Sequence, residues 1–110
     1  MNVQNIKDIP QVKSKMTCRE LNIACAIKWL SESVVAISGG DVLARWIENN
    51  QDKIEDVLCC INRIYIWCKD QQTNKELAQL VIDNKIGDEV KWVKHSDSER
   101  WKLLVWWEEG

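Results

Sequence analysis

Histidine is almost missing from this chain of 110 residues: His95 is the single one. A Cys–His or Ser–His catalytic pair therefore has one candidate base, and it sits beside a predicted hairpin turn, where an imidazole is ordinarily solvated. No Cys-x-x-Cys occurs, and with one histidine no zinc-ligand spacing can be drawn. No metal and no cofactor are expected. Long apolar runs are absent as well. Leu103 to Trp107 is a purely apolar stretch, far short of the ~20 residues that cross a bilayer. The opening MNVQNIKDIP lacks the apolar core of a signal peptide, and no Asn-x-Ser/Thr acceptor is present. The chain is expected in the cytoplasm, away from membranes.

Glycine is scarce, at four residues, and none forms a phosphate-binding loop after a strand. Gly39-Gly40 comes nearest, but Asp41 follows where such a loop carries a basic residue. A helix stop followed by a helix start explains that stretch. Charge of one sign is lacking too: 15 basic against 17 acidic residues leave a formal charge of −2. Such a chain has no global pull on nucleic acid or anionic lipid. Carboxylates such as Glu32, Glu48, Glu55, Asp56 and Asp83 are scattered along predicted helices, the pattern of a solvated face. Neither repeats nor low-complexity segments occur. These observations point away from an enzyme.

What is present is an ordinary globular composition, 45% apolar and 29% charged, long enough for one domain with a real core. Five cysteines, Cys18, Cys25, Cys59, Cys60 and Cys68, form an odd count with two adjacent. They fall in helical patterns, so they read as reduced, mostly buried thiols.

Helix signals are strong. Thr17-Cys-Arg-Glu20 and Thr73-Asn-Lys-Glu76 are capping boxes, Asp52-Lys-Ile-Glu55 is an aspartate variant, and Asp41 is a further N-cap. With stops at Gly39-Gly40, at Asn49 to Gln51 and at Asn84 to Gly87, they predict helices near 18–37, 42–50, 53–69 and 74–84. Ile23, Ile27, Leu30, Val34 and Ile37 stripe the first, and apolar residues also lie off that stripe. It reads as a central helix buried on several sides. Ile54, Val57, Leu58, Ile61, Ile64, Tyr65 and Cys68 stripe the third at steps of three and four. IYIWC at Ile64 to Cys68 is also β-rich, and the unbroken stripe decides for helix.

After Gly87 the period drops to two. Val90, Trp92 and Lys94 alternate with Lys91, Val93 and His95; beyond a Ser96–Glu99 turn, Trp101, Leu103, Val105 and Trp107 alternate with Lys102, Leu104 and Trp106. This is a β-hairpin over 88–109 with Val90 opposite Val105, Trp92 opposite Leu103 and Lys94 opposite Trp101. Its Trp92/Trp101/Leu103/Val105/Trp107 side is expected to pack on the helices. Residues 1–16, with Val3, Ile6, Ile9 and Val12 around Pro10, form an arm or an added edge strand. The fold class is α+β in a single domain 1–110: about four helices over 17–86 against a C-terminal antiparallel hairpin.

Function then turns on apolar residues the fold does not require. One set is the back of the third predicted helix, Cys59, Ile66 and Trp67. The other is the outer hairpin face, Val93, Leu104 and Trp106. Exposed tryptophan is a frequent interface anchor. The expected partner is another protein, met as an inhibitor or adaptor or through self-association as a homodimer. Small acidic domains without catalytic residues are typical of immunity proteins and of phage- or plasmid-borne antagonists, an analogy of class.

A second reading is nucleic-acid binding. Thr73-Asn-Lys-Glu-Leu-Ala resembles the first-helix opening of helix-turn-helix and winged-helix domains, with the hairpin as the wing. Lys91, His95, Arg100 and Lys102 lie beside Trp106 on the outer face. The pattern departs where a recognition helix should follow, since Asn84 to Gly87 leads straight into strand.

Overall fold

A computed structural model of the chain describes residues 17–94 and 101–108. The expected N-terminal arm or strand and the hairpin turn with His95 lie outside them. The described residues form three α-helices and one four-stranded antiparallel sheet: α1 (Cys18–Ser31), α2 (Gly40–Asn49), β1 (Ile54–Cys59), β2 (Arg63–Cys68), α3 (Gln71–Asp83), β3 (Glu89–Lys94) and β4 (Trp101–Trp106). A short 3-10 turn at Gln51–Lys53 leads into β1. The strand order is β1-β2-β4-β3.

The α+β class stands, but the predicted 53–69 helix is the β1–β2 hairpin. The register explains why it reads as helical. Ile54 and Val57 are three apart, which on a regular strand would put them on opposite faces. An irregularity between Ile54 and Asp56 absorbs one residue, so Ile54 pairs with Cys68 and Val57 with Ile66, all on the core side. The bulge thus counterfeits helical spacing. On β2, Ile64, Ile66 and Cys68 are buried while Arg63, Tyr65 and Trp67 are less covered.

The Thr17 capping box forms as its spacing requires: the Glu20 N–H donates to Thr17 Oγ1 at 3.1 Å, and the Thr17 N–H donates to Glu20 Oε1 at 3.4 Å. Helix α1 stops earlier than expected, at Ser31, well before the glycines. Ser33 takes a left-handed φ of 55° and the Val34 N–H donates to the Trp29 carbonyl at 2.9 Å. That turn releases Val35 into the core. Nor is α1 central: Leu21 and Cys25 are exposed along it. Arg19 fastens it to the sheet, donating from Nε to the Ile54 carbonyl at 2.9 Å and from Nη2 to the Gln51 carbonyl.

Helix α3 begins at Asp70, whose carboxylate accepts from the Thr73 N–H at 2.7 Å, so Thr73 is inside the helix and buried, not its cap. Likewise Gly39, left-handed at φ 73°, caps α2 in place of Asp41. After α3, Gly87 opens the second hairpin at φ 71°. A Cβ there would fall 2.7 Å from Val105 Cγ1 and 3.2 Å from the Trp106 carbonyl oxygen, so the position requires glycine.

The C-terminal hairpin keeps the predicted register, Val90 to Val105, Trp92 to Leu103 and Lys94 to Trp101. Leu103, Val105 and Trp107 are buried in the core as expected. Trp92 is on their side but 40% exposed, and it lines an open pocket of about 490 Å³ together with residues of α3. The core cluster draws on α1, α2, α3, the connecting residues Val35, Ile86 and Trp107, and only the inward residues of the strands. Each fully covered Ile or Leu there contributes about 1.5–3 kcal/mol. The helices therefore sit on one side of the sheet.

Candidate functional site

The strand order decides what the other side carries. β2 and β4, the two most apolar strands, are the central pair, with Arg63 opposite Trp106, Tyr65 opposite Leu104 and Ile66 opposite Leu103. Residues that sequence reasoning placed on separate elements thus meet on the one face of the sheet on which no described helix packs. Tyr65 and Trp67 come from β2, Lys102, Leu104 and Trp106 from β4, Lys91 and Val93 from β3, and Leu58 from β1.

Alternation along each strand sends these side chains outward. Trp106 is 39% exposed and Leu58 47% exposed, while Tyr65, Trp67 and Val93 are partly covered. Leu104 is buried yet stands outside the core cluster, since it occupies the middle of the face between Tyr65 and Lys91. The Tyr65 and Trp67 ring centres are 6.2 Å apart with planes tilted by 31°. Lys102 Nζ lies 4.8 Å from the Tyr65 ring centre and 4.9 Å from that of Trp67. Lys91 Nζ lies 5.3 Å from the Trp106 ring centre, and Arg63 Cζ 6.0 Å from that of Tyr65. These are cation–π distances. Among the acids, Glu89 stands opposite Trp106, while Glu55 and Asp56 share the bulge opposite Trp67; Asp56 accepts from the Asn22 side-chain amide at 3.1 Å and from the Val57 N–H at 2.8 Å.

Of the expected contact residues, Val93, Leu104, Trp106 and Trp67 share this face. Ile66 and Cys59 do not. Ile66 is fully buried in the core and Cys59 packs against it, because they lie on a strand's inward side and not on the back of a helix. Sequence reasoning missed Leu58, Arg63 and Tyr65. The signal for them was the alternation of Tyr65 and Trp67 with Ile64, Ile66 and Cys68, outweighed by the helical stripe.

The cysteines are less buried than expected: Cys18 and Cys25 are exposed, Cys59 and Cys60 intermediate, and only Cys68 is buried. Burial, with Cys60 and Cys25 nearby, pushes the Cys59 thiol up to about 12. Burial, with the Asp70 carboxylate, does the same to Cys68. Both thiols stay protonated at neutral pH, the inert form. Among the described residues, no group of three or more His, Cys, Asp or Glu is placed to hold a metal ion. Among them also, no helix is long and apolar enough to cross a membrane.

The cavity beside Trp92 is on the helical side, with Gln71, Asn74 and Lys75 among its walls. Asn74 is buried, and its Oδ1 accepts no hydrogen bond among the described residues. No family model matches the chain, and no curated protein and no solved structure matches it either.

Proposed function

We propose that this protein is a non-catalytic binding domain that takes another protein on the sheet face opposite its described helices, as an inhibitor or adaptor does. The observation that carries the reading is the single face joining Trp106, Trp67, Tyr65 and Leu58, on which no described helix packs. Tryptophan, tyrosine and arginine are the residues enriched in protein interfaces. The aliphatic groups at Leu58 and Val93 complement apolar side chains and offer no stacking surface to a base. A face about four strands wide and six residues long spans roughly 400 Å², half of one partner's share of a standard interface. The strand edges and neighbouring loops would supply the rest.

A second reading, single-stranded nucleic acid, is favoured by the interleaving of cations with rings on the same face. The winged-helix version has less support, since α3 runs directly into β3 with no second helix between them.

The test is a photo-crosslinking amino acid placed at Leu58 in cells, with Ile82 on α3, also exposed, as the control. A discrete protein adduct from position 58 alone supports the reading. Equal labelling from both positions, or none from 58, removes it.

A further inference from the structure

We infer that two copies of this chain pair through the outer edge of β3, antiparallel about a two-fold axis, with Trp92 opposite the second copy's Trp92. The contact is the strand edge and not the proposed partner face, so the inference goes beyond that reading. β1 and β3 are the two outer strands of the sheet, and their edges differ. On β1 the Val57 N–H donates to the Asp56 carboxylate at 2.8 Å, and the Ile54 carbonyl accepts from Arg19 Nε at 2.9 Å. The irregularity between Ile54 and Asp56 distorts the same edge. Such devices close an edge to further pairing. β3 has none of them among the described residues. The Trp107 N–H donates to the Asn62 carbonyl at 3.0 Å, and the Asp88 N–H to the Trp106 carbonyl at 2.9 Å. The backbone of Trp107 thus faces β2 and that of Trp106 faces β3. By alternation Glu89, Lys91 and Val93 bond to β4. The N–H and C=O groups of Val90, Trp92 and Lys94 then point away from the sheet, and no described residue bonds them. Lys91 does not guard them, since its ammonium lies back over the Trp106 ring, 5.3 Å from the centre.

The strand is complementary to itself in one register, and that match selects a second copy. Outward groups must meet outward groups, so Val90, Trp92 and Lys94 of one copy pair with the same set on the other. With Trp92 on the axis, Val90 meets Lys94, and the new ladder runs from Val90 to Lys94, wholly inside the Glu89–Lys94 strand. Lys91 then stands opposite Val93. Moving the axis to Lys91 sets two lysines directly opposite each other, which is destabilising. Moving it to Val90 or Val93 shortens the overlap. Trp92 also has surface to cover. It is 40% exposed on the helical side, beside an open pocket of about 490 Å³ with Gln71, Asn74 and Lys75 in its walls. Across the axis each indole covers the other, an aromatic cross-strand pair. The axis stands perpendicular to the sheet, so the helices of both copies lie on one side and the two proposed partner faces lie side by side on the other.

Sedimentation equilibrium of the full chain over a concentration series is expected to show the mass rising toward twice that of one chain. Trp92→Lys and Trp92→Glu each set like charges on the axis, so each alone should halve the mass. An equal mixture of the two should restore it, because position 92 meets its own copy. Lys94→Pro removes an outward N–H and leaves the bonds to β4 in place, so it too should give a single-chain mass with a cooperative thermal transition. A single-chain mass for the unaltered protein up to about 1 mM overturns the inference and leaves the edge to a strand of another protein. A dimer that persists in the charged variants or in Lys94→Pro places the contact elsewhere and overturns it as well. So does a mixture that stays at the single-chain mass. If a charged variant shows no thermal transition, Lys94→Pro decides by itself. Crosslinking from position 58 judges the partner face independently of all these outcomes.

Discussion

Lys102 and Trp67 meet across the joint between the two hairpins, with the ammonium 4.9 Å from the centre of the indole ring. The contact exists only because β4 returns to the middle of the sheet and pairs with β2. It ties the C-terminal hairpin to the first one on the solvent side, while Ile66 and Leu103, paired and fully buried, do so on the core side. The Lys102→Gln change is expected to lower stability by about 0.5–1 kcal/mol, the range for exposed cation–π contacts. Urea unfolding measures it, and Trp67→Leu in the same background should add little from the lost ring–ammonium contact. Full additivity in that double-mutant cycle would show that the contact carries no energy.

Trp106 and Ile66 form a contrasting pair, since both were expected at a contact surface and the structure separates them. Ile66→Ala removes a fully buried side chain from the core and should cost about 2–5 kcal/mol. For Trp106, 39% exposed, truncation to alanine should cost about 1–2 kcal/mol, since part of the ring is covered. The crosslink from position 58 should be lost in Trp106→Ala at a temperature where the variant is folded. Chemical denaturation of the two variants side by side checks the ranking, and a Trp106 cost equal to that of Ile66 would make Trp106 a core residue.

Asp70 links acidity to the stability of α3. The Thr73 N–H bond, first among several causes, holds its carboxyl below the usual aspartate value. A depressed folded-state pKa stabilises the fold above the unfolded value of 3.8 and loses that contribution as the pH falls through the folded value. Asp70→Asn keeps a capping acceptor without the titration, so it should lose less stability than wild type on going from pH 5 to pH 3. Asp70→Ala should be less stable at neutral pH by loss of the cap. Melting temperatures of the three proteins across that acid range test this, and parallel pH profiles for wild type and Asp70→Asn would contradict it.

Thiol chemistry should sort the cysteines by position. Cys18 and Cys25 are exposed, whereas the Cys59 and Cys68 thiols are pushed up to about 12 by burial. Iodoacetamide at pH 8 is therefore expected to modify Cys18 and Cys25 first, and Cys59 and Cys68 only when the protein is unfolded. Peptide mass spectrometry over a time course reads the order directly. Early labelling of Cys68 would mean that β2 is not seated as described.

The sequence by itself determined what depends on near neighbours. The Thr17–Glu20 box, the short α2 and α3, and the register of the C-terminal hairpin are encoded within a few residues of where they act, through capping groups, glycine and a period of two. It also implied the alternation that sends Leu103, Val105 and Trp107 inward and Trp106 outward. Only the tertiary structure decided the rest. The 54–68 stretch carries a bulge that makes two strands look like one helix, and no local rule shows where an extra residue will be absorbed. Nor does any local signal say that β4 passes inside β3 to pair with β2, since strand order is set by which apolar surfaces can be buried together. That pairing buries Leu104, turns Ile66 into core, and brings Tyr65, Trp67, Trp106 and their lysines onto the one face opposite the described helices.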